Sequence, residues 1–141
     1  MVGMIDTCVV LDALQSRQPF SKMAQKIIYA SSCDVFCGVI SVKALTDIYY
    51  ILNRYTHDQA KTRSMTSDLL NGINLCDSTV MDVNTAYLSK IKDFEDALLD
   101  ETSSRINADY IITRNIKDFA NSKVKAILPE DFLKLLPQYC Q

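Results

Sequence analysis

Runs of β-forming residues too short to be helices recur along this chain, and helix-length segments separate them. VGMID at residues 2–6 is a short apolar run ending in an acid, and VFCGVIS at 35–41 reads as a second buried strand. ADYIIT at 108–113 and VKAIL at 124–128 have the same character, with a brief strand expected near Leu75 and Cys76. Between these runs apolar residues recur at helical spacing. Phe20, Met23, Ala24, Ile27 and Ile28 follow Pro19, which suits a first helical turn. Val42, Leu45, Ile48, Tyr49 and Leu52 mark an amphipathic helix. A polar helix is expected from about His57 to Leu70, and another from after Asp82 to about Ile91. Asp93 reads as the N-cap of a further helix, with Asp96 at the third helical position as in a capping box. A short Pro-led helix, PEDFLKLL, follows the last strand. Strands alternating with helices predict an α/β fold with a mainly parallel sheet of four to five strands, covered on both faces.

Composition narrows the chemistry. A chain near 150 residues buries roughly 70% of its unfolded surface, and a hydrophobic fraction of 48% is ample for one domain over residues 1–141. No linker, repeat or low-complexity tract interrupts it. The single histidine, His57, excludes a catalytic His pair or a two-His zinc site within one chain. Three widely separated glycines exclude a glycine-rich phosphate loop and the dinucleotide fingerprint. No uncharged apolar run approaches the roughly 18 to 20 residues that span a bilayer. The start, MVGMIDTCVV, has no basic n-region and does not read as a signal peptide. Five cysteines disfavour a disulfide framework, and Cys33 and Cys37 lack a second pair for zinc. Buried or idle thiols in a reducing cytoplasm are expected. A net charge of −2 argues against a large electrostatic footprint on nucleic acid, though not against a small one.

The acids are the informative residues: 14 of the 17 are Asp. Asp favours caps, turns and hard-cation sites over exposed helix faces. In open α/β sheets ligands bind beyond the carboxyl ends of the strands. Asp6 ends the first strand, Asn115 and Asp118 follow ADYIIT, and Asp47 and Asp96 lie in helices that could flank the same edge. Carboxylates converging there would repel one another unless a cation such as Mg²⁺ or Mn²⁺ neutralised them. Taken singly, each has a structural alternative: Asp6 as a helix cap, Asp47 as a solvated acid, Asp96 as a capping-box acid, Asp118 as a turn residue. Asp12, Asp93, Asp100 and Glu95 read as solvated helix acids. His57 reads as a surface residue, Tyr49 and Tyr50 as helix core and its border, and Lys123 and Lys125 as solvated loop residues.

The joint pattern is more specific than its parts. MIDTCVVLDAL, ISVKALTDIYYIL, KDFEDALLDETSSRINADYIITRNIKDF and a Pro-Glu-Asp-Phe-Leu ending occur in that order over nearly the whole chain. This series resembles the PIN-domain nucleases, and within them the bacterial branch that includes VapC-like toxins. The resemblance implies a three-layer α/β/α sandwich with an acidic pocket that binds Mg²⁺ or Mn²⁺ and hydrolyses phosphodiester bonds, usually in RNA. By position, the family's acids match Asp6, Asp47, Asp96 and Asp118. Asp6, Asp96, Asp118 and Asn115 would hold the metal, with Thr7 and Thr113 in support. Arg114, directly after a strand end, is the candidate phosphate contact. A cognate antitoxin and a homodimer are the partners the resemblance implies.

Three residues depart from the family's pattern. Cys8 stands where Asn is common, and losing that amide removes a hydrogen bond that would orient Asp6 or a water. Asp47 stands where Glu is common, one methylene shorter. Asn115 stands where many members have Asp. These departures keep a second reading open, a catalytically weakened PIN-like protein that binds RNA or a protein. A phospho-acceptor receiver lacks its adjacent acidic pair here, and an Asp-x-Asp phosphatase lacks its second Asp at Cys8.

Overall fold

A computed structural model describes residues 1–137. The chain runs β1 (Val2–Ile5), α1 (Thr7–Leu14), α2 (Ser21–Ser32), β2 (Cys37–Ser41), α3 (Val42–Thr56), α4 (Gln59–Leu70) and β3 (Asn74–Cys76). It continues through α5 (Val80–Ala86), α6 (Phe94–Arg105), β4 (Tyr110–Ile112), a 3₁₀ turn (Ile116–Phe119), β5 (Ala126–Ile127) and α7 (Pro129–Leu135). The five strands are all parallel, in the order β3-β2-β1-β4-β5. Among the described residues no helix is long and apolar enough to cross a membrane.

Strand alternation divides the core. In register, Met4 sits beside Val39 and Ile111, and all three side chains enter a cluster with Ala97 and Leu98 of α6 and Ala86 of α5. The next residue on each strand, Ile5, Ile40 and Ile112, enters the opposite cluster with α1, α2, α3, α4 and α7. Successive side chains on a strand point to opposite faces, so each short apolar run feeds both layers. That explains why the strands show no polar face, and it gives the expected α/β/α sandwich. Gly38 permits the close approach of β2 to α2, since a Cβ there would overlap the Ser31 side chain.

Several boundaries differ from the sequence reading. His57 does not open the polar helix; it closes α3 in the left-handed region (φ 53°), and Asp58 then caps α4 by accepting from the Lys61 N–H. Pro19 precedes the first residue of α2 by two, with Phe20 at the N-cap. The helix begun by the Thr79–Asp82 capping box ends at Ala86 rather than near Ile91. There the bonds tighten to i→i−3, from Leu88 N–H to Thr85 and from Ser89 N–H to Ala86. The Ser89 hydroxyl then accepts from the Ile91 N–H, and Ile91 reaches the core from a loop.

Two acids read as solvated are buried. Asp12 is 1% exposed, because α1 is covered by both α2 and α3 and retains no wet face. Burial pushes its carboxyl above the ordinary range, offset in part by Arg114 and Arg17. Asp100 is also 1% exposed, and its two oxygens accept the N–H groups of Lys123 and Val124 at 2.9 and 3.0 Å. Beside it, the Glu101 carboxylate pairs with Lys123 Nζ at 2.7 Å. A helical acid can thus satisfy backbone donors of another element, which periodicity does not reveal.

Candidate active site

β1 leads to β2 on one side of the sheet, while β4 flanks it on the other, so the connections diverge at the carboxyl end of β1. Such a switch point is where an open parallel sheet leaves a crevice. Asp6 stands there, at the N-cap position of α1, yet its side chain makes no capping bond. Its backbone N–H donates to Ile112 O across to β4. Its Oδ2 instead accepts from the Thr113 hydroxyl at 2.8 Å and from the Cys8 thiol at 3.1 Å.

These bonds belong to a chain with one direction. The Asn115 N–H donates to Thr113 Oγ1 at 3.0 Å, which turns the hydroxyl proton of fully buried Thr113 toward Asp6. Thr113 therefore both tethers the Asn115 turn and orients Asp6. The expectation that Cys8 costs Asp6 an orienting bond is corrected: the thiol supplies one. Burial first, and then the Asp6 charge, push the Cys8 thiol up to about 11, so it remains a protonated donor. Both bonds fall on Oδ2, leaving Oδ1 for another partner.

A cavity of about 370 Å³ opens beside Asp6. Its walls bring together Asp6, Thr7, Asp47, Glu95 and Asp96, with Lys43 and Tyr50 of α3. Asp47 and Glu95 are bridged by one cation: Lys43 Nζ lies 2.5 Å from Asp47 Oδ2 and 2.8 Å from Glu95 Oε1. Burial disfavours the Lys43 charge, but those two carboxylates outweigh it and hold its pKa above the ordinary value. Asp96 differs. Burial, then the charges of Asp93, Asp6, Asp118 and Glu95, push it up to about 6. Its backbone N–H is capped by Asp93 at 3.1 Å, and its own side chain does not return the bond, so the expected capping box is half built. An acid freed from capping and crowded by like charge is suited to a cation.

Asn115 and Asp118 line a separate depression, with Arg114 and Lys117, and the Asp118 charge still acts on Asp96. Asp118 N–H donates to Asn115 O at 3.0 Å, which closes the 3₁₀ turn. Arg114 points its charge inward: Nε is 2.6 Å from Asp12 Oδ2, outside hydrogen-bond direction, and its guanidinium lies 4.2 Å over the Phe20 ring. The structure thus gathers Asp6, Thr7, Asp47 and Asp96 in one cavity, sets Asn115 and Asp118 on a separate depression, and gives Arg114 an internal partner. Glu95 was read as a solvated helix acid and Lys43 was not singled out, yet both line the cavity. Their only signal was position, one residue before Asp96 and four before Asp47.

Comparison with known proteins agrees with this fold. Residues 3–117 match the PIN-domain family. No curated protein matches the chain. Among solved structures, VapBC2 from Rickettsia felis, bound to a DNA fragment from its promoter, superposes with a TM-score of 0.73 at 15% identity, covering 91% of this chain and 98% of that one. The sarcin-ricin loop cleaving toxin VapC20 of Mycobacterium tuberculosis gives 0.65 at 14% identity, covering 87% and 98%. A toxin–antitoxin complex from Klebsiella pneumoniae gives 0.65 at 20% identity, covering 90% and 97%.

Proposed function

Because the chain belongs to the PIN-domain family, we propose that it is an Mg²⁺- or Mn²⁺-dependent endoribonuclease acting as the toxin of a toxin–antitoxin pair. The observation that carries this reading is the gathering of Asp6, Asp47 and Asp96 around one cavity at the sheet's carboxyl edge, where burial and then the charges of Asp93, Asp6 and Asp118 push Asp96 up to about 6. The donors suit a hard cation in kind, being carboxylate and amide oxygens. Among the described residues no three His, Cys, Asp or Glu side chains are grouped closely enough to hold a metal ion. Mg²⁺ takes only one or two carboxylates and keeps several of its waters, so this reading needs no more than Asp6 and Asp96 from the protein.

Asp6 and Asp96 would hold the ion, with Asp118 and the Asn115 carbonyl completing the set. The bound ion supplies an activated water and offsets charge on the phosphoryl oxygens. Thr113 and Cys8 fix the rotamer of Asp6, so Oδ1 keeps one direction. Lys43 offsets one of the two charges of Asp47 and Glu95, whereas Asp6, Asp96 and Asp118 have no such cation among the described residues. Asp47, steadied by Lys43, lines the wall where a water can be oriented. In a cytoplasmic setting the Cys8 thiol stays reduced and remains a donor. The R. felis and K. pneumoniae likenesses are toxin–antitoxin assemblies, which supports a cognate antitoxin closing this groove; a homodimer is proposed on the family resemblance.

Incubating the protein with a mixed RNA pool and Mn²⁺ tests the reading. Discrete cleavage products are expected, absent with EDTA and restored by excess Mn²⁺. Cleavage that persists without metal would overturn the metal dependence. One observation favours a second reading, a binding protein with a weakened site: Lys43 already occupies two of the pocket's carboxylates. RNA binding without cleavage at any Mn²⁺ concentration would select it.

Cys8 offers a narrower check. Cys8→Ala removes one of two donors to Asp6 Oδ2 and is expected to weaken Mn²⁺ binding by about 10-fold in calorimetry. Cys8→Ser keeps a donor and is expected to bind like the wild type. Equal affinity in the alanine variant would show that Thr113 alone orients Asp6.

A further inference from the structure

Lys43, Asp47, Tyr50 and Arg54 follow one another on α3 at spacings of four, three and four, which return to one helix face. The stripe starts in the acidic cavity and leads away from it. Tyr50 lines that cavity, yet it is 61% exposed, more than a ring held by packing would be. Its hydroxyl accepts from Arg54 Nη1 at 3.1 Å, and the Arg54 guanidinium lies 5.8 Å from the ring centroid. Lys43 is already engaged by Asp47 and Glu95. Of the two cations on the stripe, Arg54 is therefore the one not committed to a carboxylate.

We propose that this stripe binds single-stranded RNA: the Tyr50 ring stacks on an unpaired base beside the cleaved linkage, and Arg54 contacts the adjoining phosphate. The inference rests on the nuclease reading above and names two residues that would hold its substrate. An aromatic face at the mouth of an acidic pocket accepts any unstacked base, whereas duplex RNA keeps its base faces covered. An arginine next to the ring supplies the charge that the protein as a whole lacks. The aromatic earlier read as the border of a helix core becomes a contact surface because it turns toward the cavity.

The test uses the full chain with Asp6→Asn, which keeps RNA intact, and fluorescence anisotropy of a labelled 12-nucleotide strand and of its duplex. Adding Tyr50→Ala is expected to weaken single-strand binding about 5- to 100-fold, while Tyr50→Phe stays within about twofold because the ring remains. Adding Arg54→Ala should reduce the slope of log affinity against log salt by about 0.7. Both positions are exposed, and circular dichroism checks that each variant is folded. Equal binding of the strand by Tyr50→Ala, with wild-type cleavage intact, would overturn the track and leave the nuclease reading standing. Tighter binding of the duplex than of the strand would overturn it as well. Failure of the wild type to bind or cleave any RNA would overturn both.

Discussion

Asp6→Asn and Asp96→Asn are each expected to slow RNA cleavage roughly 10²- to 10³-fold, equivalent to ~3–4 kcal/mol of transition-state stabilisation. The amide matches the carboxylate in shape, so the Thr113 and Cys8 bonds to Asp6 can persist while its charge is lost. At Asp96 the substitution also relieves the burial of a charge and the repulsion from Asp93, Asp6, Asp118 and Glu95, which together raise its carboxyl. Thermal stability should therefore be unchanged or slightly higher as activity falls, a combination that general damage to the fold does not produce. Asp47→Asn should cost less, because Lys43 keeps its second partner, Glu95, at 2.8 Å. Initial rates at fixed Mn²⁺, paired with melting curves, separate these outcomes. Full activity in both Asp6→Asn and Asp96→Asn would remove the proposed site.

The second large effect concerns stability. Asp100→Ala is expected to destabilise the protein by about 3 kcal/mol, because it strands two backbone N–H groups that donate to no other acceptor. The Val124 end of this bridge is fully buried, so water cannot replace the lost carboxylate there. In a domain of this size the change corresponds to a fall in Tm of about 10 °C. Asp100→Asn should lose most of the same amount, since one end of an amide is a donor and would face an N–H. Glu101→Gln, whose partner Lys123 is half exposed, is expected to cost under about 1 kcal/mol. Chemical denaturation with coincident fluorescence and dichroism transitions measures all three. A Tm within about 2 °C of wild type in Asp100→Ala would show that the loop before β5 finds other acceptors.

Both cases show where the linear chain is legible. The short apolar runs located the strands because a strand buried on two faces must be apolar throughout, and only the cores of those runs pair: β4 keeps three residues of ADYIIT, β5 two of VKAIL. Asp6 could be singled out because it ends a strand at the one carboxyl edge of a parallel sheet, whereas Asp96, in the first turn of a helix, could only be said to flank that edge, and the family resemblance pointed to it. Asp12 and Asp100 could not be singled out, since an acid on a helix reads as solvated whether its face meets water or another element. The end of α5 was equally hidden, because Val83, Ala86 and Ile91 are apolar in either a helix or a loop that dips into the core.

The sequence by itself determined the order of the elements, the α/β class and the acids that could meet at one edge, since these depend on local periodicity and on the geometry of parallel sheets, while its motifs carried the resemblance to the family. Only the tertiary structure decided which groups those acids meet. It placed a thiol and a hydroxyl on one oxygen of Asp6, a lysine between Asp47 and Glu95, and a buried acid against Arg114. Such pairings join residues as far apart as Asp6 and Thr113, separated by 107 positions. They follow from side-chain direction at the strand ends and from burial, and neither quantity is encoded in spacing along the chain.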